Sequence, residues 1–169
     1  MKFANGVAYN LAKIDWTVAF YLTWEFESRV TSTDFSEQRR EADFNFFLAA
    51  LCTRHQLQRR NLALYRKTEW GKSGRAHYNA LLARKGTKGV SPELLAESAT
   101  ELWRPNGLSE IQPFDKNKHL QSVIYSAKQE YDAFHNPRVH PEYFSPALNT
   151  LLFRLKDTAP KNSIASFAN

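Results

Sequence analysis

Five side chains carry chemistry-capable types at telling spacings. In "EWGKSGRAHYNALL" (69–82) a carboxylate, Glu69, precedes a glycine-containing turn and the triplet His77-Tyr78-Asn79. On a strand His77 and Asn79 share one face and Tyr78 takes the other. If 61–70 and 76–84 pair as a hairpin, Glu69 lies across from His77, with Cβ atoms about 4.5–5.5 Å apart. Carboxylate, imidazole and amide oxygen then converge, a mixed O/N donor set suited to Mg²⁺ or Mn²⁺. The bland alternative is an ordinary polar hairpin face.

Further on, "VIYSAKQEY" (123–131) holds Tyr125 and Lys128 at i, i+3, one face of a helix. A phenol with a pKa near 10 is a poor nucleophile at neutral pH. An adjacent ammonium and a divalent cation would stabilise phenolate character and the charge on an attacked phosphate. The plain alternative is a tyrosine packed in the core with its lysine in solvent. Tyr131 has no lysine three residues on and reads as structural.

These groups need a scaffold. The chain has 169 residues, enough for one domain with a sizeable core, read here as 1–169 with 135–169 a partly irregular C-terminal extension. At 43% hydrophobic and 14% aromatic residues it should fold. "DWTVAFYLTWEFE" (15–27) reads as a central strand. Residues 35–57 read as a long amphipathic helix burying Phe44, Phe47, Leu48, Leu51 and Cys52, with Asp34 and Glu37 in capping-box spacing. Arg54, Arg59 and Arg60 near its end suit the negative pole of the helix dipole or a polyanion equally. Residues 61–70 and 76–84 read as strands and 91–104 as a helix begun by Ser91 and Pro92. Residues 108–115 read as a short or edge strand because of Pro113, and 117–134 as a helix. The proline-rich tail reads as mostly irregular, with 147–155 an apolar stretch able to pack back as a helix. The order predicts an α+β fold: an antiparallel sheet of four to five strands, helices on one face and the other open to ligand.

Lys plus Arg number 23 against 17 Asp plus Glu, a net charge of +6 that favours polyanionic partners. A single cysteine, Cys52, excludes an internal disulfide and suggests a reducing compartment. No apolar run reaches the ~20 residues of a membrane span, and the N-terminus lacks a signal-peptide pattern. The expected location is cytoplasmic, with no membrane partner. "GKS" (71–73) is not a P-loop, since Arg66 stands where that pattern needs glycine.

Taken in order, "FYLTWEF" (20–26), "HYN" (77–79) and "YSAK" (125–128), with Glu69 on the strand before the second, resemble the three motifs of HUH endonucleases of the rolling-circle replication initiator (Rep) type. The likeness spans about residues 14–132. One departure is Asn79, where the family pattern has a second histidine; some circular single-stranded DNA virus relatives carry Gln there. The resemblance implies a ferredoxin/RRM-like sheet and an endonuclease in which Glu69, His77 and Asn79 hold one Mg²⁺ or Mn²⁺. It implies that Tyr125 attacks single-stranded DNA at an origin hairpin, assisted by Lys128, leaving a 5′-phosphotyrosine and a free 3′-hydroxyl. A host helicase and polymerase are the implied partners.

Expected DNA contacts are Lys67, Lys72, Arg75, Arg84, Lys85 and Lys88 to phosphates, with Trp70 stacking on a base. Three other readings stand beside this one. A transposase or relaxase of the same superfamily would share the chemistry. A non-catalytic RRM-like domain would stack bases on Trp70, Tyr65 and Tyr78. A metal nuclease would use water as nucleophile.

Overall fold

A computed structural model describes residues 10–25, 33–70, 75–84, 89–119 and 143–157. Its centre is strand β1 (Val18–Thr23), followed by helix α1 (Thr33–Arg54), a 3-10 turn (Arg59–Asn61), strands β2 (Leu62–Trp70) and β3 (Ala76–Arg84), helix α2 (Pro92–Trp103) and strand β4 (Ser109–Pro113). A two-residue strand β5 (Tyr143–Phe144) and helix α3 (Pro146–Asp157) complete the described elements. The five strands form one sheet in the order β4-β1-β3-β2-β5, every neighbouring pair antiparallel. The fold is α+β, as the alternation of strand and helix patterns predicts.

Side-chain alternation sorts the sheet residues onto two faces. One face carries Val18, Phe20, Leu22, Leu62, Leu64, Tyr78, Ala80 and Leu82, which pack with Phe44, Phe47, Leu48, Leu51 and Cys52 of α1 and Leu95, Ala96, Ala99 and Trp103 of α2. This is the core the helical spacing of α1 anticipates. Trp24 sits edge-on against both Tyr78 and Trp103, at ring separations of 4.7 and 5.1 Å. Arg66 is buried on this face, its guanidinium paired with Glu41 and 4.3 Å from the centre of the Tyr78 ring.

The opposite face is not simply open. Ala19, Ala63, Tyr65, Leu81 and Ala83 form a second apolar cluster, closed by Leu11, Ile14 and Trp16 and by Leu148 of α3. The expectation of helices on one face is corrected here: α3 covers the β2 end of the second face, its Leu148 buried in the same cluster as Ala63 and Ala83.

Local chemistry explains the boundaries. Ser91 caps α2, accepting from the Leu94 N–H at 3.1 Å, with Pro92 in the first turn. Pro113 ends β4 at the sheet edge, where a missing N–H is tolerated. α1 is already helical at Thr33, one residue ahead of Asp34. Ser145 joins α3 to the sheet: its Oγ accepts from Leu64 N at 2.9 Å, donates to Leu62 O at 3.1 Å and receives Leu148 N at 3.3 Å. Residues 143–157 are thus ordered parts of the sheet and its covering, in the stretch read as mostly irregular. No helix among the described residues is long and apolar enough to cross a membrane.

Candidate functional site

The β2–β3 ladder pairs Glu69 with His77 and Lys67 with Asn79, and β1 adds Thr23 beside His77 and Tyr21 beside Asn79. Period two therefore places Tyr21, Lys67, Glu69, His77 and Asn79 together on the second face, beyond the part covered by α3. The expected hairpin register and its alternation are what the structure has.

Glu69 is the hub. Its Oε2 lies 3.2 Å from His77 Nε2 and accepts from Asn79 Nδ2 at 2.9 Å, while Oε1 is 3.8 Å from Lys67 Nζ. The carboxylate keeps 27% of its side-chain surface exposed and His77 13%, so solvent and ligand reach both. Tyr21 packs its ring 4.7 Å from the His77 imidazole, at 38° between planes, and holds it against rotation.

The donor set fits a divalent cation in kind and spacing. Two ligand atoms each about 2.1 Å from one octahedral ion, at right angles, stand about 3.0 Å apart. The Glu69 and His77 atoms are separated by 3.2 Å. Asn79 presents its nitrogen to Glu69, as it must while a bare carboxylate faces it; turning the amide presents Oδ1 instead. Among the described residues no group of three or more His, Cys, Asp and Glu comes together, and the amide of Asn79 is the further donor beside Glu69 and His77 there. The Lys67 ammonium opposes a cation here, since it already neutralises the carboxylate.

Lys67 is the clearest correction among the expected DNA contacts. Its side chain is 1% exposed and directed at Glu69, so it cannot reach a phosphate on the surface. Its position on the half-buried face, between Tyr65 and Glu69, puts it under the site. Arg75 is exposed, as a phosphate contact requires. Arg84 donates through Nη2 to the Val90 carbonyl and lines a cavity of about 400 Å³ with Lys13, Arg60 and Arg154 at the far end of the same face. Apart from Arg84, whose guanidinium is turned to Val90, that cavity is lined by three basic residues, Lys13, Arg60 and Arg154, and one acid, Asp15, a balance that suits a polyanion. Lys72, Lys85 and Lys88 lie outside the described residues, and the side chain of Trp70 is likewise outside them.

Tyr125 and Lys128 also lie outside the described residues. The helix expected over 117–134 is described at its first turn: residues 116–119 are helical, Asn117 N donates to Asp115 Oδ1 at 2.8 Å and His119 N to Asp115 O at 2.8 Å. Asp115 is therefore its cap. His119 Nδ1 accepts from the Asp115 N–H at 2.8 Å, leaving the ring proton on Nε2, and burial holds its pKa below the usual imidazole value. His119 lines a groove shared with Tyr21 and Asn79.

The stacking residues of the RRM-like alternative fare differently. Tyr65 and Tyr78 are 2% and 1% exposed and point to opposite faces of the sheet, so neither is a surface platform for a base. Among the described residues the exposed aromatic on the site face is Tyr21. In the sequence it sits inside an apolar strand, and only the register with β3 reveals His77 and Asn79 as its neighbours. Comparison of the chain with protein-family models, with curated proteins and with solved structures finds no match.

Proposed function

We propose that the chain is a metal-dependent nickase of single-stranded DNA that cuts and rejoins one strand through a covalent tyrosine intermediate. Initiation of rolling-circle replication of a plasmid, phage or related element is the role this chemistry serves. The observation that carries the reading is the convergence of Glu69, His77 and Asn79 on one accessible sheet face, at distances that suit one divalent ion. The connectivity β1-α1-β2-β3-α2-β4 in the order β4-β1-β3-β2 is compatible with the split βαβ, or ferredoxin-like, sheet that the HUH resemblance implies, and so supports this reading.

Glu69, His77 and Asn79 would hold Mg²⁺ or Mn²⁺, which when bound supplies Lewis-acid polarisation of a scissile phosphate. Tyr21 keeps His77 oriented, and Asn79 and His77 fix the carboxylate. The Tyr125 oxygen would attack phosphorus as the bond to the 3′-oxygen breaks. The phenolic proton leaves to a base and the departing 3′-oxygen takes one up. Lys128, at i+3 from Tyr125 and so on its face in the helix the sequence predicts there, would stabilise the phenolate. Because the phosphodiester energy is kept in the phosphotyrosine, rejoining by the 3′-hydroxyl needs no ATP. The described residues 116–119 bring His119 to the groove that Asn79 lines. The basic cavity around Lys13, Arg60 and Arg154 supports a polyanionic strand along this face. The same chemistry would serve a transposase or relaxase, and mapping the cleaved sequence separates those roles.

The test is incubation of the protein with end-labelled single-stranded DNA and Mn²⁺, resolved on a denaturing gel. A protein–DNA band that disappears with Tyr125→Phe is expected. Cleavage without that band would assign the nucleophile to water, and binding without cleavage would leave a DNA-binding module.

A further inference from the structure

Next to the Glu69 cluster, two rows of residues cross the sheet. One runs Glu110, Tyr21, Asn79, Lys67; the next runs Gln112, Ala19, Leu81, Tyr65. Ala19 stands between longer neighbours, and its missing side-chain bulk leaves a dent. The dent is a groove of about 160 Å³, floored by Ala19 and Leu81, walled by Tyr21 and His119 and bordered by Glu110, Gln112 and Asn79. A drug-sized ligand site takes about 300–1,000 Å³, so this one suits a planar base and not a whole nucleotide.

Its polar edge is selective. Gln112 Nε2 donates to Glu110 Oε1 at 2.6 Å. That bond engages the glutamine amide nitrogen and leaves the Glu110 carboxylate and the Gln112 carbonyl oxygen as acceptors side by side. Two adjacent acceptors complement two adjacent N–H donors. Among the bases, guanine presents such a pair on its Watson–Crick edge, N1–H and the 2-amino group; thymine presents one donor between two carbonyls. The aromatic walls supply stacking for the ring.

We propose that this groove is a nucleobase pocket that captures an unpaired guanine beside the Glu69–His77–Asn79 cluster. The inference rests on the single-stranded DNA reading for its polymer, and its chemistry is testable without cleavage. Asn79 belongs to both sites, so a base held here sets which phosphate lies over the cluster.

The experiment is an NMR titration of the whole chain with dGMP, dIMP and dTMP, without metal. Expected is binding of dGMP about tenfold or more tighter than dTMP, with dIMP, which lacks the 2-amino group, in between. Glu110→Gln should erase the preference and Tyr21→Ala should weaken all three nucleotides. Glu110 is exposed on an edge strand, so its variant retains the fold, and the wild-type amide spectrum verifies this. Equal binding of dGMP and dTMP, a preference that survives Glu110→Gln, or no binding at all overturns the pocket. Loss of nicking with the dGMP preference intact would instead overturn the nickase reading and leave the pocket standing.

Discussion

Glu69 faces His77 directly across the β2–β3 ladder, with 3.2 Å between carboxylate oxygen and imidazole nitrogen. Everything proposed for this protein's chemistry is built around that pair. It also sets the first prediction. Glu69→Gln removes the only carboxylate among the three donors. It should weaken Mn²⁺ binding by at least about 100-fold, more than is lost when a mere outer-shell partner is changed. Titration of free Mn²⁺ by electron paramagnetic resonance measures this; unchanged binding would remove the cluster as a metal site.

Lys67 gives a prediction of opposite sign. Its buried ammonium lies 3.8 Å from Glu69 and competes electrostatically with any cation placed there. Lys67→Met keeps the volume and removes the charge. Mn²⁺ affinity should rise about tenfold or more. Stability should fall, because removing one partner leaves the Glu69 carboxylate without its buried counter-charge, although Glu69 is 27% exposed and retains His77 and Asn79. Weaker Mn²⁺ binding in this variant would show that Lys67 supports the site and does not oppose it.

Tyr78 predicts an alkaline transition. Burial, the largest cause, pushes its phenol up to about 12, with the Arg66 guanidinium pulling the other way and Glu41 adding to the rise. Between about pH 10 and 12 the unfolded chain has lost this proton while the folded chain keeps it. Stability is therefore fully present below about pH 10 and falls as pH rises toward 12, by about 2–3 kcal/mol over the window. Tyr78→Phe should flatten that part of the curve, measured by urea unfolding at each pH. An equal fall in wild type and variant assigns the loss to other groups.

Gly107 predicts a stability loss remote from the site. A Cβ there would stand 2.4 Å from the Thr23 carbonyl oxygen and 2.8 Å from Glu25 N, both backbone atoms, at a φ of +156°. Thr23 and Glu25 also bond across to this turn, through Thr23 N to Leu108 O at 2.9 Å and Glu25 N to Asn106 O at 3.0 Å. Gly107→Ala must push the turn off the end of β1. A loss of about 2 kcal/mol or more is expected in thermal unfolding. A wild-type melting temperature would mean the turn can shift without cost.

The two strands around the candidate site were readable from residue order. Alternation around the glycine-containing turn predicts residues 76–84 as a strand, the bounds it has, and places Glu69 opposite His77. The apolar spacing of α1 likewise names the residues it buries. These succeed because strand and helix periods are local properties of the backbone, and one buried face selects the register. The start of α1 at Thr33 shows the converse: Asp34 and Glu37 have capping spacing, yet the helix begins before them. The burial of Lys67 was not readable. A lysine on an alternating strand looks solvated until a neighbouring carboxylate and the rest of the face are known.

Residue types and their order were enough for the α+β architecture, the hairpin and the three donors on one face, since each follows from short-range periodicity. Assembly in space settled the rest. Ser145 bonds to β2 from 81 and 83 residues away. Tyr21 meets His77 only because β1 lies beside β3. The guanine-sized dent exists because Ala19 falls between Gln112 and Leu81. Such neighbours are far apart along the chain, and no local period encodes which strands lie side by side; the packing of two apolar faces against their covering helices does.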